Sequence, residues 1–142
     1  MELIPAQTPA VAPASRFTGH VEVTTVSAAA APGWLAAAVV RFSAGAHTNW
    51  HVHALGQTLY VLEGTALVGT RDGRVVAAGP GETVQCAAGE DHWHGATADA
   101  AMAHLAMLAG DGETDPTTWL EPVDDAAYRA ANGTEEAAAN GK

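Results

Sequence analysis

The sequence predicts an all-β fold, a single barrel or sandwich of short strands with a short C-terminal helix. Three observations carry this. Short runs rich in Val, Thr and Leu recur at regular spacing and are punctuated by glycine turns. Asp72-Gly73 lies between two such runs, the strongest two-residue hairpin signal. Histidines recur at alternate positions, His51 and His53, then His92 and His94, and alternate residues of a strand share one face.

Residues 1–15 are rich in Ala and Pro and are read as an extended, loosely held arm. Residues 16–26, RFTGHVEVTTV, read as strand, with His20 as a surface residue on it. Ala28 to Ala31 with Pro32-Gly33 is a turn. Trp34 to Phe42 is a long apolar run, consistent with a strand buried on both faces. Gly45 breaks it. His47 shares odd parity with His51 and His53, but the Gly45-Ala46 break makes a polar loop role the better reading. Thr58–Leu62, Thr65–Thr70, Val75–Ala78 and Thr83–Cys86 are strands, with turns at Glu63-Gly64, Asp72-Gly73 and Gly79 to Glu82. A loop at 87–91 leads into His92-Trp93-His94, and Ala101 to Leu108 is the last long strand. If the intervening connection centres on Asp99, the two strands pair with His94 opposite His104. Cross-strand neighbours lie about 5 Å apart, so His92, His94 and His104 share a side. Asp111 to Pro116 is a loop, Trp119 packs back on the barrel, and Val123 to Ala131 forms a short helix. The expected organisation is thus an arm at 1–15, one domain at 16–131 and a flexible tail at 132–142.

Composition excludes several classes of function. The formal net charge is −10, which disfavours nucleic acid and anionic membrane as partners, since both need a basic surface. Cys86 is the single cysteine, so an internal disulfide and a thiolate zinc site are excluded; it reads as a small core residue. No apolar run is long enough to span a membrane, and the N-terminus lacks the charge pattern of a secretory signal. A cytoplasmic location is the expectation.

Five of the seven histidines fall at positions compatible with one cavity. His51 and His53 share a face, Gln57 follows at the mouth of the next strand, and His92 is the best third imidazole. Such a set points to a divalent metal site. The alternative is a hydrogen-bonded polar cluster inside a barrel.

The spacing Gly45-x5-His51-x-His53-x3-Gln57-x6-Gly64 resembles the first motif of the cupin superfamily. Gly81-x5-Ala87-x-Gly89-x2-His92 is similar to the second. Two positions depart from the usual pattern: Gln57 replaces a glutamate and Ala87 a proline. The strings GQTLYVLEG, GEDHWHGA, AMAHLA and WLEPVDDAAY look like the small bacterial cupins that include manganese-dependent (R)-selective hydroxynitrile lyases, over Arg16 to Tyr128. His47 departs from that branch, where another kind of basic residue is common. The resemblance implies a jelly-roll barrel and one metal ion held by His51, His53, Gln57 and His92. Manganese is the first expectation, while the ligand types also suit Fe, Co, Ni or Zn. It also implies two further cavity histidines, His94 and His104, as candidates for proton transfer. A homodimer or homotetramer is expected, with a small molecule as the only other partner.

A neutral glutamine ligand leaves the cation's charge uncompensated, which suits a Lewis acid or an anion receptor. The expected activity is cleavage or synthesis of cyanohydrins, with His94 or His104 as acid and base. Val40, Leu59, Val61, Leu105 or Met107 would line the cavity, depending on strand parity. Two other classes stay open at this point. One is dioxygen chemistry or isomerisation of a small anionic substrate at the same centre. The other is a ligand-binding cupin without turnover.

Overall fold

Alternation of side chains along short strands builds two sheets that face each other. The computed structural model describes residues 1–28, 35–110 and 116–140, the side chains of 134–140 excepted. The turn read at 28–33 and the loop at 111–116 lie almost wholly outside the described residues. The strands are β1 (Ala10–Val11), β2 (Phe17–Thr18), β3 (Val21–Ala28), β4 (Leu35–Phe42), β5 (His47–Thr48), β6 (His51–His53) and β7 (Gln57–Glu63). They continue as β8 (Ala66–Thr70), β9 (Val75–Ala78), β10 (Thr83–Cys86), β11 (His92–Ala96), β12 (Met102–Ala109) and β13 (Thr117–Trp119), and are followed by helix α1 (Asp125–Asn140).

One sheet has the order β1-β3-β4-β12-β7-β10. The other runs β13-β6-β11-β5-β2, with β8 beside β11 and β9 beside β8. All described pairings are antiparallel. The hairpin read at Asp72-Gly73 joins β8 to β9, with Gly73 at φ +87°. Between the sheets lies a core that includes Val21, Phe42, Val61, Ala66 and Met102.

β4 corrects one expectation. It is not buried on both faces: Val40 and Phe42 are buried, while Leu35 and Arg41 are exposed. The apolar run includes several alanines, whose small side chains tolerate either face.

The second correction concerns β11 and β12. They do not pair with each other. β12 lies between β4 and β7, whereas β11 lies in the opposite sheet beside β8, β5 and β6. The connection between them therefore crosses from one sheet to the other rather than forming a hairpin. Gly64 makes room at this corner. Its φ is +71°, and a Cβ there would overlap the Ala101 carbonyl oxygen.

The outer face of the second sheet is covered by α1. Trp50, Leu67 and Trp93 pack there with Val123 and Ala131. The helix starts two residues later than Val123 and runs past Ala131 to Asn140, so the residues read as a tail from 132 begin as helix. Asp124 caps it, its Oδ1 accepting from the Ala127 amide at 2.8 Å. His47 lies under this helix, 95% buried, stacked on Tyr128 at 4.2 Å. It faces neither a loop nor the cavity. Asn49 and Trp50 lie between β5 and β6, outside both strands, so the parity shared with His51 does not carry through. Gly95 allows this approach, because a Cβ there would overlap His47.

Among the described residues no helix is long and apolar enough to cross a membrane. Residues 1–9 are exposed and outside any strand or helix, and β1 adds to the edge of β3 through Ala10↔Val23 and Val11↔Glu22.

Candidate metal centre and cavity

His51 and His53 project inward from β6, and His92 projects from its neighbour β11, where it is in register with His51. One nitrogen from each of the three lies within 4.8 Å of the others, and all three are buried. Gln57, at the start of β7, reaches in from the opposite sheet, its Oε1 3.4 Å from His92 Nε2. The three imidazoles and the amide predicted from spacing are thus brought together.

Backbone acceptors fix the rings. His51 Nδ1 donates to the Asn49 carbonyl at 2.9 Å, and His92 Nδ1 donates to the Glu90 carbonyl at 3.1 Å. Each ring therefore carries its lone pair on Nε2, on the side away from that carbonyl. His53 Nδ1 is 2.9 Å from the Thr117 hydroxyl, and Trp119 lies against the His51 ring at 4.7 Å. With its Nδ1 protonated, His92 presents a lone pair to the Gln57 carbonyl oxygen. Two acceptors face each other at 3.4 Å, an arrangement that a cation between them relieves. The donor set therefore fits a divalent metal.

His94 and His104 meet behind this group, with His104 Nε2 3.0 Å from His94 Nδ1. The predicted neighbours are real, but they meet across the space between the sheets rather than along a ladder. Thr48 Oγ1 accepts from the His94 amide at 3.1 Å, tying β11 to β5. His94 Nε2 has no protein partner among the described residues. Phe42 packs on both rings, 6.0 Å from His94 and 5.2 Å from His104.

Burial dominates the electrostatics. Desolvation lowers His51 from 6.5 to about 3, with His92 adding repulsion. It lowers His104 to about 4 and His94 well below its ordinary value, and it lowers His92 as well. All four are neutral at pH 7, which is the ligand form of imidazole. The consequence for stability has a definite sign. Above pH 6.5 folded and unfolded chains are both neutral at these positions. Below it the unfolded chain takes up protons that the folded chain refuses, so stability falls with pH until the folded values near 3 to 4 are reached. Each such histidine contributes a loss of about 1.4 kcal/mol per pH unit inside that window. Urea midpoints of the metal-free protein at pH 7.5, 6 and 5 will therefore fall steeply. A midpoint that does not move between pH 6.5 and 5 would contradict the burial of neutral imidazoles.

The centre opens into a cavity of about 570 Å³. Ala36, Ala38 and Val40 of β4 and Ala106 and Leu108 of β12 form one wall. Val40 is thus a cavity residue as expected. Leu105 and Met107 are not, because the inward parity of β12 belongs to His104 and Ala106. Leu59 and Val61 are buried in the core, outside this cavity. His20 is exposed beside Glu22 at 3.4 Å, as its surface reading predicted. Cys86 is buried in the core beside Leu59 and Val68, and burial pushes its thiol up to about 12, so it is no thiolate.

Thr48, Thr117, Trp119 and Arg16 were not singled out from sequence as parts of the site. Thr117-Thr118-Trp119 carries a strand-like alternation that puts Thr117 and Trp119 on one face. Their pairing with β6, which brings that face to the metal ligands, had no local signal.

Comparison with known proteins agrees with this geometry. The cupin-domain family profile matches residues 38–108, spanning β4 to β12. The chain belongs to the cupin family. This cupin is also 42% identical to an (R)-mandelonitrile lyase of Granulicella tundricola over 118 residues, 82% of this chain and 88% of that protein. Among solved structures it is similar to a cupin-like protein from Thermotoga maritima, at 26% identity and a TM-score of 0.78 over 92% of this chain and 97% of that one. A cupin-2 domain from Rhodospirillum rubrum shares the fold at 19% identity, with a TM-score of 0.67 over 96% of this chain and 92% of that one.

Proposed function

We propose that this cupin is a metal-dependent hydroxynitrile lyase that cleaves and forms cyanohydrins. The observation that carries this is the His94–His104 pair beside three histidines clustered as metal ligands would be, with His94 on the wall of an apolar cavity. The 42% identity to the (R)-mandelonitrile lyase supports the reaction class. His51, His53, His92 and Gln57 would hold one divalent cation, with manganese as the first candidate. Such a cation supplies Lewis-acid polarisation and lowers the pKa of the substrate hydroxyl.

His94 does the proton work. It lines the cavity, and its Nε2 is the nitrogen without a protein partner. A neutral imidazole accepts the hydroxyl proton at Nε2 while the carbon–cyanide bond breaks and the carbonyl forms. His94 then returns that proton to the departing cyanide, giving aldehyde and hydrogen cyanide. His104 Nε2 holds the ring through the 3.0 Å bond to Nδ1; it takes up the Nδ1 proton as His94 Nε2 gains the substrate's, and gives it back as cyanide is protonated. The alanine-rich wall excludes water from the departing cyanide and gives an aryl group room to lie flat.

The test is cyanide release from racemic mandelonitrile by metal-stripped protein, with and without added Mn²⁺, against a protein-free control. Metal-dependent release is the expected result. No release from protein with manganese shown to be bound would remove the lyase assignment and leave oxygenation, isomerisation or ligand binding.

A further inference from the structure

The charge of the cavity runs against the charge of the chain. The protein carries 16 Asp and Glu against 6 Lys and Arg. Yet the cavity that opens from the metal centre is lined, among the described residues, by no Asp or Glu at all. Arg16 is the single Lys or Arg among the described residues that line it. No carboxylate among the described residues pairs with Arg16, whereas Arg41 and Arg71 are each paired. Its guanidinium instead lies over the Trp119 ring, 5.3 Å from the centroid. Trp119 lies in turn 4.7 Å from the His51 ring. One indole thus separates a free cation at the mouth from the metal ligands at the base, with Phe17 at 5.5 Å completing the aromatic side.

Resting on the lyase reading, we propose that the substrate class of this cupin is an aryl carbonyl compound, or its cyanohydrin, that bears a carboxylate on the far side of the ring from the reacting carbon. The reacting oxygen faces His51, His53 and His92. The ring lies between Trp119 and the wall of Ala36, Ala38 and Ala106. The carboxylate meets the Arg16 guanidinium, whose planar donors match it in a bidentate pair. Because the lining contains no acid, such an anion meets no like charge on entering. Gln57, being neutral, adds none at the base.

Arg16 acts here by side chain alone. Its main chain accepts from the Asn49 amide at 2.8 Å and donates to the Pro13 carbonyl at 3.0 Å, and both bonds survive substitution. The guanidinium is exposed and, among the described residues, lies against Trp119 alone, so Arg16→Gln is compatible with the fold.

The experiment compares 4-formylbenzoate with its methyl ester, which has the same ring and aldehyde but no charge. Binding of each to manganese-loaded protein is measured by calorimetry, for the unaltered chain and for Arg16→Gln. The acid is expected to bind about tenfold more tightly than the ester. The gap should narrow as salt is raised and vanish in Arg16→Gln. Equal affinity of acid and ester in the unaltered chain would overturn the proposal. So would a gap that persists in Arg16→Gln, since the metal rather than the guanidinium would then hold the carboxylate. Cyanide release is read separately. Failed cleavage with the Arg16-dependent gap intact sinks the lyase reading alone, and intact cleavage without the gap sinks this proposal alone.

Discussion

Replacing His51 and His53 together by alanine will abolish metal binding. The two rings come from one three-residue strand, and with His92 they form the cluster in which one nitrogen from each lies within 4.8 Å of the others. Removing both leaves His92 and the Gln57 amide, two neutral donors that give no enclosed site for a divalent ion. Metal content after dialysis against a weak chelator should fall from about one ion per chain to near zero, and cyanide release should fall with it. The variant is expected to fold. The histidines border an open cavity, so their loss enlarges space that already exists instead of emptying the close-packed core around Phe42 and Met102. The folded variant should also lose less stability on acidification, since His51 is among the groups most strongly lowered by burial. Full stoichiometry in the double variant would exclude this cluster as the metal centre.

His104→Ala will lower turnover by about 10² to 10⁴ while leaving metal content unchanged. His104 is fully buried, and its Nε2 lies 3.0 Å from His94 Nδ1. Without it, His94 loses both its orientation and the partner that accommodates a proton on the far nitrogen. The expected loss is mainly in kcat, because His104 does not line the cavity and contacts no substrate. His104→Gln separates the two roles. The amide can still hold the His94 ring by a hydrogen bond but cannot take up a proton. Turnover that returns in the glutamine variant would reduce His104 to a positioning residue. Unchanged cyanide release in both variants would remove it from the mechanism altogether.

The candidate site was legible in sequence wherever its residues are close along one strand. His51-x-His53 and His92-x-His94 needed only the two-residue period of a strand to share a face. Gln57 needed only to begin the next one. Glycines marked the corners for an equally local reason, since Gly64 and Gly73 adopt positive φ that other residues resist. The all-β class and the hairpin at Asp72-Gly73 followed from the same short-range rules.

What lay beyond one strand was decided by the packing of the two sheets. His94 and His104 do meet, but through the core, because β11 and β12 belong to opposite sheets; counting residues about Asp99 reached the right pair by the wrong ladder. The break at Asn49-Trp50 interrupts the strand alternation, and His47 lies outward, under a helix that sequence ended nine residues early. Arg16 reaches the cavity because β2 pairs with β5 and the Asn49 amide bonds to its carbonyl, contacts between segments remote along the chain. The sequence by itself determined most of the longer strands, the glycine turns and the chemistry of the imidazole cluster, for these depend on local geometry and residue type; the two- and three-residue strands β1, β2, β5 and β13 it did not. The tertiary structure decided which faces oppose, and so which residues wall the cavity and where Arg16 lies. Those depend on sheet pairing and close packing, which no period along the chain encodes.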